Sequence, residues 1–298
     1  MGSLKNSIRQ HPFTRKLVMK LNPFNLSVPP GHFYSPIPDI NEIKRRANKI
    51  FDPNRNVDGI QFNDAGQLAL IESFKKDYSK IPFTDEADPR YRYRYNNEMY
   101  GHSSGALLYC MMMHLKPKRI IEVGSGYSSA LMLDTNTIFF NNQTQLTFIE
   151  PYPVRLKGLL REEDYKRATI IEKKVEEVDL SVFEMLGEND ILFIDSTHIS
   201  KIGSDVNTLI FDILPKLNKG VYIHFHDILY PFEYPKEWVM DGVFWNETYL
   251  LRAFLQYNDR FSIQFFNTYM LQKFGKELAE LPLFGKNVGG CIWLKKEK

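Results

Sequence analysis

After Lys118 the sequence alternates between short apolar runs typical of buried strands and segments long enough for helices. This alternation predicts parallel strands whose connecting helices cover both faces of one sheet. Near the C-terminus, "FSIQFFNTYML" and "GGCIWLKK" follow one another without a helix of ordinary length between them, so we expect an antiparallel pair of strands there. The expected fold is α/β, doubly wound and Rossmann-like, with a mostly parallel seven-stranded sheet that ends in this antiparallel pair. The parallel strands are expected at Ile120–Val123, Leu146–Glu150, Thr169–Glu172, Ile191–Asp195 and Val221–His226.

The first 100 residues have a different character. Residues 1–38 are rich in proline and are expected to form an irregular arm on the surface. Two amphipathic patterns follow and predict helices over Asp39–Phe51 and Asp64–Tyr78. We therefore expect an N-terminal arm and helical annex, or lid, over residues 1–100 and the sheet domain over residues 101–298. A helix over Ser104–Leu115 should pack on the sheet, with its Met run in the core.

Composition limits the partners of the chain. Its 38 Lys and Arg residues against 36 Asp and Glu give a formal net charge of +2 at pH 7, which provides no general field for a polyanion. Two cysteines predict no disulfide framework, and a reduced, cytoplasmic location is the simpler expectation. No apolar run approaches the roughly 20 residues that cross a bilayer, and the basic N-terminus lacks the apolar region of a secretory signal. We therefore expect no membrane partner, and nucleic acid is not the default partner.

The turn after the first predicted strand, in "RIIEVGSGYSS", is of a kind that binds nucleotide cofactors. Gly124 and Gly126 lie at the carboxyl end of that strand, where open α/β sheets bind ligands and where absent Cβ atoms let the backbone approach them. A dinucleotide site needs a third glycine where this chain has Ser129, which weakens the case for NAD. Glu150, at the end of the next strand, can accept both hydroxyls of a ribose in NAD or in S-adenosylmethionine. Glu122, inside the first strand, is expected to accept hydrogen bonds from a ligand amine or from the loop backbone.

Four stretches carry a resemblance to a known family: "IIEVGSGYSS", "LTFIEPYP", "DILFIDSTHISKIGSDVN" and "GVYIHFHDILYPFEYPKEW". In their order and spacing they closely resemble a bacterial family of class I S-adenosylmethionine-dependent methyltransferases, over nearly the whole chain. In such proteins the glycine motif holds the methionine end of the cofactor, the acid after the second strand holds the ribose, and the segment after the third strand lies along the adenine. The resemblance therefore implies that residues 101–298 form a methyltransferase domain. The cofactor contacts expected in it are Glu122, Gly124, Ser125, Gly126, Ser129, Glu150, Val175 and Asp195.

Two acids end neighbouring predicted strands. Strands lie about 4.8 Å apart, so the carboxylates of Asp195 and Asp227 should converge, and like charges this close favour a cation between them. Metal-dependent O-methyltransferases, which the chain resembles, use carboxylates at these strand ends, and Mg²⁺ prefers oxygen ligands. The predicted metal ligands are therefore Asp195, Asp227 and the adjacent His226, although "HD" departs from the Asp-Asn or Glu-Asp of the relatives. A metal-free site, with Asp195 on the amino group of the cofactor, stays open.

A histidine follows the first of these acids. His198 lies three residues after Asp195, and in the metal-dependent relatives a basic residue at this spacing takes the proton from the substrate hydroxyl. The resemblance thus implies His198 as general base beside Asp195 in the catalytic site. His224 shares a strand face with His226 but is expected to be a buried, hydrogen-bonded histidine.

Aromatic and charged segments before and after the sheet predict the acceptor pocket. Three segments are expected to act as lids, because methyl transfer depends on alignment and on exclusion of water: "RYRYRYNNEMYGHSSG", "YPFEYPKEW" and "FWNETYLLRAFL". Alternating Arg and Tyr also fits single-stranded nucleic acid, but no wider basic patch supports that alternative. The residues expected to line the pocket are Arg92, Tyr93, Tyr95, Asn97, Tyr100, Tyr230 and Glu233.

The predicted function is S-adenosylmethionine-dependent O-methylation of a small hydroxylated acceptor, with a sugar or glycoconjugate as one candidate and a divalent metal such as Mg²⁺ as a candidate second cofactor. Two alternatives stay open: a metal-independent methyltransferase acting on another nucleophile, and a non-catalytic binding or scaffold protein of the same fold. The expected partner is a small molecule. A homo-oligomer also stays open, because the Pro-rich arm could reach a neighbouring subunit.

Overall fold

A computed structural model of the protein describes residues 28–298, which divide into two compact units. The larger unit contains residues 53–234 and 245–298 and holds the whole sheet. The smaller unit contains residues 28–52 and 235–244. The rest of the predicted Pro-rich arm, residues 1–27, lies outside the described residues.

Seven strands form one mixed sheet in the order β3-β2-β1-β4-β5-β7-β6. The first five strands are parallel, and every residue of β4 and β5 is buried, as expected where helices cover both faces of a parallel sheet. The predicted fold class is therefore confirmed. The strands are β1 (Arg119–Val123), β2 (Gln145–Ile149), β3 (Ala168–Ile171), β4 (Ile191–Ile194), β5 (Tyr222–His226), β6 (Phe261–Phe266) and β7 (Cys291–Lys296).

The register of the parallel strands places several strand ends on one edge of the sheet. Val123 at the end of β1 pairs with Ile149 of β2 and with Ile194 of β4, and Ile194 pairs with Phe225 of β5. The residues that follow these strands therefore leave the sheet side by side, at the edge where open α/β sheets bind ligands.

The antiparallel end of the sheet is formed by β7, which pairs with both β5 and β6. The prediction that "FSIQFFNTYML" is a strand throughout was wrong in its second half, because a helix over Asn267–Phe274 begins there. The Asn267 side chain explains the change: its amide oxygen accepts from the N–H groups of Thr268 and Cys291, at 2.7 and 2.9 Å. This side chain ends β6 and ties the start of the helix to β7.

The helices predicted before the sheet are confirmed within two residues. The helix α2 packs on α3 and β6, and α3 is buried along most of its length. In the smaller unit, Asp39 caps α1 by accepting from the N–H of Asn41 at 2.8 Å. The helices in chain order are α1 (Ile40–Ile50), α2 (Asp64–Tyr78), α3 (His102–Leu115), α4 (Tyr127–Phe139), α5 (Val154–Leu159), α6 (Ser181–Glu184), α7 (Asp205–Asn207), α8 (Lys236–Met240), α9 (Glu247–Leu255) and α10 (Asn267–Phe274).

Short non-α turns complete the connections. A π-helix over Thr208–Ile213 continues α7 and leads into a 3₁₀ turn over Leu214–Lys216. Further 3₁₀ turns lie at Asp164–Lys166, Val175–Glu177 and Pro282–Gly285. Cys110 and Cys291 are both buried and free. Across residues 28–298, none of the helices has the length and apolar character required to cross a membrane.

Candidate active site

The glycine turn connects β1 to α4 at the ligand-binding edge of the sheet. Gly124 has a φ of +80°, and a Cβ at this position would lie 1.9 Å from the carbonyl oxygen of Asp195. Only glycine fits here, because the left-handed backbone and the close approach of the β4 end both exclude a side chain. The turn then enters α4 with the N–H of Gly126 donating to Ser129 Oγ at 2.9 Å.

Glu122 is fully buried beneath this turn and bonds to helix α4. Its carboxylate accepts from Ser128 Oγ at 2.5 Å and from the Ser129 hydroxyl. Burial raises the pKa of Glu122 to about 8, against the lowering effect of the serine hydrogen bonds. The predicted acceptor role is thus met inside the chain, by two hydroxyls of the first turn of α4. Any effect of Glu122 on a ligand passes through the position of this helix.

Glu150 follows β2 and lies beside the same turn. Its carboxylate accepts from the N–H groups of Ser125 and Tyr152, at 3.1 and 2.8 Å, and the side chain remains partly exposed. The parallel register brings Gly124 and Glu150 together, because the N–H of Gly124 donates to the carbonyl of Ile149 at 3.0 Å. The acid and the glycine turn therefore form one surface.

A first cavity of about 360 Å³ opens beside this surface. Its volume lies within the usual range for a pocket that binds a small molecule or cofactor. Gly124, Glu150, Val175 and Asp195 line it, so the structure brings together predicted cofactor contacts that follow four different strands. Lys174 and Glu176, the neighbours of Val175 in the segment after β3, also line this cavity.

A second cavity of about 350 Å³ shares Gly124, Glu150 and Asp195 with the first. The two cavities are therefore contiguous across the glycine turn. The Oγ atom of Ser125 is buried there without a hydrogen-bond partner, which is what a missing ligand would leave. The turn, the ribose-type acid and this orphaned hydroxyl together fit S-adenosylmethionine. The second cavity is lined by Met99, Tyr100, Gly124, Ser125, Gly126, Tyr127, Ser128, Glu150, Arg155, Asp195, Ser196, Thr197, His198, His226, Asp227 and Trp245.

His198 lies at the centre of an acidic cluster in the second cavity. Its Nδ1 is 2.8 Å from Oε2 of Glu247, which fixes the ring. Its Nε2 is 3.4 Å from Oδ1 of Asp195 and 3.7 Å from Oδ2 of Asp227. Ser196 donates to the other oxygen of Glu247 at 2.9 Å and completes the support. The structure thus confirms that Asp195, His198 and Asp227 converge.

This cluster shifts the protonation of its members. Burial alone would lower the pKa of His198, but the interactions with Asp195 and Glu247 raise that pKa to about 10. Burial alone would raise the pKa of Asp195, but contact with His198 and the nearby charge of His226 hold it below its usual value. Near neutral pH the cluster therefore contains an imidazolium between carboxylates.

The two histidines of β5 differ in their surroundings. His226 faces the second cavity with Nε2 3.7 Å from Oδ1 of Asp227, and its Nδ1 is buried without a partner. His224 is buried and stacks on Phe193 with ring centroids 4.1 Å apart. Neither of its ring nitrogens has a partner, so the expectation of a hydrogen-bonded His224 was wrong, and burial keeps its pKa well below the usual value.

The predicted metal ligands Asp195, His226 and Asp227 share the second cavity but do not fit a divalent ion as they are arranged. Mg²⁺ needs oxygen ligands at about 2.1 Å, whereas Nε2 of His198 lies 3.4 Å from the carboxylate of Asp195 and 3.7 Å from that of Asp227. Across residues 28–298, no group of three or more His, Cys, Asp or Glu residues has a metal-binding arrangement. The cation that the two acids require is supplied by the imidazolium.

The structure places Arg92 in a buried ion-pair network. The guanidinium donates to Asp134 at 2.7 Å and to both oxygens of Asp164 at 2.8 and 2.6 Å, and the side chain is 3% exposed. These bonds tie the segment before α3 to α4 and to the turn before β3. Arg92 lines neither of the two cavities described above, and its bonding is that of a structural residue.

The other residues predicted from the same segment support Tyr100. Asn97 accepts from the N–H of Tyr100 at 2.7 Å and donates to its carbonyl at 2.8 Å, and Tyr93 OH donates to that carbonyl at 2.7 Å. Tyr95 stacks on His102 with ring centroids 4.8 Å apart. Of these four residues, Tyr100 alone lines the second cavity.

Tyr230 and Glu233 lie after β5 but do not line either cavity. Tyr230 meets Tyr269 edge-on with ring centroids 5.0 Å apart. Glu233 accepts from Tyr249 OH and lies 3.5 Å from the Arg55 guanidinium. Both residues thus pack the segment that follows the site.

Two residues that shape the cluster lie in the lid segment "FWNETYLLRAFL", but the sequence assigned neither of them a role in the site. Glu247 is 1% exposed and holds His198, and Trp245 lies over the imidazole with ring centroids 4.3 Å apart. Glu247 is the first residue of α9, and Trp245 lies just before the N-cap of that helix. An acid in the first turn of a helix is ordinary there, so no pattern marked Glu247 as a partner of a residue 49 positions earlier.

Comparison with known proteins identifies related sequences. The sequence profile of a family described as a methyltransferase domain matches residues 121–228, which contain the glycine turn, Glu150, Asp195, His198 and Asp227. An uncharacterized protein from Archaeoglobus fulgidus is 39% identical over 169 residues, which cover 55% of this chain and 75% of that protein.

Solved structures resemble the chain more distantly. One is the SAH-bound methyltransferase PaMTH1 from Podospora anserina, with 17% identity and a TM-score of 0.43 over 88% of this chain and 98% of that one. Another is the SAM complex of the O-methyltransferase TomG from Streptomyces achromogenes, with 11% identity and a TM-score of 0.43 over 86% and 96% of the two chains.

Proposed function

We propose a specific reaction for this chain, which belongs to the family of class I S-adenosylmethionine-dependent methyltransferases: transfer of a methyl group to a hydroxyl oxygen of a small acceptor. The observation that carries the proposal is the position of His198. Its ring is fixed by Glu247 and faces Asp195 and Asp227 in the cavity that also contains the glycine turn. Proton-accepting carboxylates thus lie beside the place where the cofactor fits.

The cofactor supplies a methyl group on a positively charged sulfur. With the cofactor bound, the acceptor oxygen would form a bond to the methyl carbon, and the electron pair of the broken carbon–sulfur bond would stay on sulfur. The hydroxyl proton passes to the carboxylate of Asp227, which is 18% exposed and lines the second cavity. Such positioned proton transfer contributes about 10²- to 10⁴-fold to a rate.

His198 has a different role from that of the expected base. With a pKa of about 10 it already carries its proton at neutral pH, so it cannot take one from the acceptor. Its positive charge keeps Asp195 ionised and offsets the repulsion between Asp195 and Asp227. No metal is needed for that purpose, and the reaction we propose is metal-independent.

Calorimetric titration with S-adenosylhomocysteine, with NAD as a control, tests the cofactor. Transfer of labelled methyl from S-adenosylmethionine to a panel of phenols, catechols and sugars then tests the acceptor class. We expect binding of the nucleoside but not of NAD, and transfer that survives removal of divalent ions with EDTA. Label found only on amines, or a requirement for Mg²⁺, would contradict the corresponding part of the proposal.

The Asp227→Asn variant tests the proton acceptor. We expect transfer to fall by about 10²-fold or more while the affinity for S-adenosylhomocysteine stays within about twofold. Asp212→Asn is a matched control, because Asp212 is exposed and lines neither cavity. Equal activity of the two variants would remove Asp227 from the mechanism. A cytoplasmic location, a homo-oligomer and the division of the chain at residue 100 stay predictions.

A further inference from the structure

Tyr100 is a buried tyrosine that lines the second cavity, and neighbouring side chains hold its backbone. Tyr100 is 3% exposed. Its N–H donates to Asn97, and its carbonyl accepts from Asn97 and from the hydroxyl of Tyr93. Its ring lies 5.2 Å from that of His226 and 6.0 Å from that of Phe193, measured between centroids. The side chain therefore rests on the ends of β4 and β5, with little freedom to move.

The hydroxyl of this tyrosine has no hydrogen-bond partner although it is buried. Leaving such a group unsatisfied is costly, and native proteins do so mainly where a ligand or water completes the bond. Two further buried atoms without partners, Ser125 Oγ and His226 Nδ1, belong to residues that line the same cavity. The three orphaned groups mark this cavity as a place where polar contacts to a ligand are missing.

The position of Tyr100 indicates which part of a ligand it meets. It lines the second cavity together with Gly124 and Ser125 of the glycine turn and with Asp195, His198 and Asp227 of the acidic cluster. A methyl group in transit must lie between the turn that holds the donor and the carboxylates that receive the acceptor proton. Tyr100 borders both.

The hydroxyl of Tyr100 remains available as a neutral acceptor. Burial keeps the pKa of Tyr100 well above its usual value, and the nearby charge of Asp195 adds to this effect. The hydroxyl therefore keeps its proton and offers its oxygen lone pairs to a donor in the cavity. Carbon-bound hydrogens next to a cationic sulfur are polarised and can act as weak donors to oxygen.

We propose that the hydroxyl oxygen of Tyr100 contacts the sulfonium group of the methyl donor and positions the donor for transfer. This inference rests on the proposed function, since it requires S-adenosylmethionine in the cavity. It moves Tyr100 from the acceptor pocket, where the sequence placed it, to the donor side. Tyr100 thereby distinguishes the charged donor from its neutral product.

The test compares the affinities of S-adenosylmethionine and S-adenosylhomocysteine by calorimetry, without acceptor, for the wild-type protein and Tyr100→Phe. The two nucleosides share their adenosine and amino-acid parts and differ at the sulfur. We expect Tyr100→Phe to weaken S-adenosylmethionine binding about threefold and to leave S-adenosylhomocysteine binding unchanged. Tyr109→Phe is a matched control, because Tyr109 is buried with an unpartnered hydroxyl but lines neither cavity.

Each other outcome has a definite meaning. Equal weakening of both nucleosides would show that the hydroxyl binds a group common to them, and no change in either would show that it binds neither. Both results overturn the inference. Failure of the wild-type protein to bind either nucleoside would instead overturn the proposed function. Because the hydroxyl has no partner in the protein, the variant should fold as stably as the wild type, which thermal unfolding checks.

Discussion

His198 and Asp227 face each other across 3.7 Å, from Nε2 to Oδ2, and both hold left-handed backbone conformations, with φ of +60° and +53°. Left-handed residues other than glycine are uncommon and store strain, and they concentrate at functional sites. Asp227 lies immediately after β5, and His198 lies in the loop that follows β4. Both side chains line the second cavity.

Glu247→Gln tests how this geometry is held. Removing the charge at Nδ1 should lower the pKa of His198 from about 10 and loosen the ring. We expect methyl transfer to fall about 10- to 100-fold, a loss typical of residues that orient a functional histidine. Affinity for S-adenosylhomocysteine should be unchanged. Nitrogen NMR of the imidazole checks the pKa, and a ring signal identical to wild type would contradict the role of Glu247.

Glu122→Gln should alter the pH dependence of stability. In the unfolded chain Glu122 loses its proton near pH 4.5, whereas in the folded protein it keeps the proton up to about pH 8. The folded state therefore binds more protons in this window, so this residue lowers stability as pH rises from 4.5 to 8, by up to about 5 kcal/mol.

The measurement is the melting temperature without cofactor between pH 5 and 9. The difference between Glu122→Gln and wild type should grow in favour of the variant as pH rises to 8 and then level off. Glu184→Gln, at an exposed site, should show no such trend. A constant difference across the range would mean that Glu122 has no raised pKa.

Gly124→Ala should be strongly destabilising. The added Cβ would meet the carbonyl of Asp195 at 1.9 Å in a backbone with φ of +80°, so we expect a loss of at least about 3 kcal/mol together with loss of nucleoside binding. The free energy of unfolding, obtained from urea denaturation, measures this loss. Gly158→Ala is the matched control: no atom lies within 4 Å of its added Cβ, and the helical site α5 should gain stability. A stable Gly124→Ala would refute the steric argument.

Arg92→Met separates a structural from an acceptor-binding arginine. It leaves Asp134 and Asp164 buried without their cation, which should cost about 3–5 kcal/mol of unfolding free energy. The comparison is Arg90→Met, whose side chain is 74% exposed and whose pair with Asp88 should contribute little. The denaturant concentration at which half of the protein is unfolded, measured for both variants and the wild type, gives the loss of stability in each. If Arg92→Met were as stable as the wild type and raised only the KM for the acceptor, the prediction that Arg92 lines the acceptor pocket would be supported instead.

The fold was accessible from the sequence because its signals are local. Apolar β-branched runs, turn glycines and helix periodicity each lie within a few neighbouring residues, and α2 was predicted with its bounds as observed, Asp64–Tyr78. The error at Asn267 has the opposite origin. That residue ends β6 by bonding to the N–H of Cys291, a partner 24 positions away that no local pattern reveals.

The site residues likewise separate into those that local sequence patterns predict and those that they do not. Gly124, Glu150, Asp195 and Asp227 follow strands directly, and the parallel register gathers them wherever the strands are known. Glu247 and Trp245 enter the site through the path of the chain between β5 and β6, which periodicity does not specify. Arg92 was predicted to bind the acceptor, because an arginine among tyrosines has the same sequence pattern whether its partner is a ligand or Asp134.

The interior place of β7 has a consequence for biosynthesis. It is the last of the seven strands to be translated, yet it lies between β5 and β6. As the chain leaves the ribosome, its five parallel strands can assemble first. The site residues that follow these strands, from Gly124 after β1 to Asp227 after β5, then already lie at the edge of the sheet. Until β7 is translated, β6 has no neighbour to pair with, and the edge of β5 that β7 will cover stays unpaired. The nascent protein is therefore most exposed to aggregation in the interval before β7 is translated, when the residues at the ends of the parallel strands are already in position.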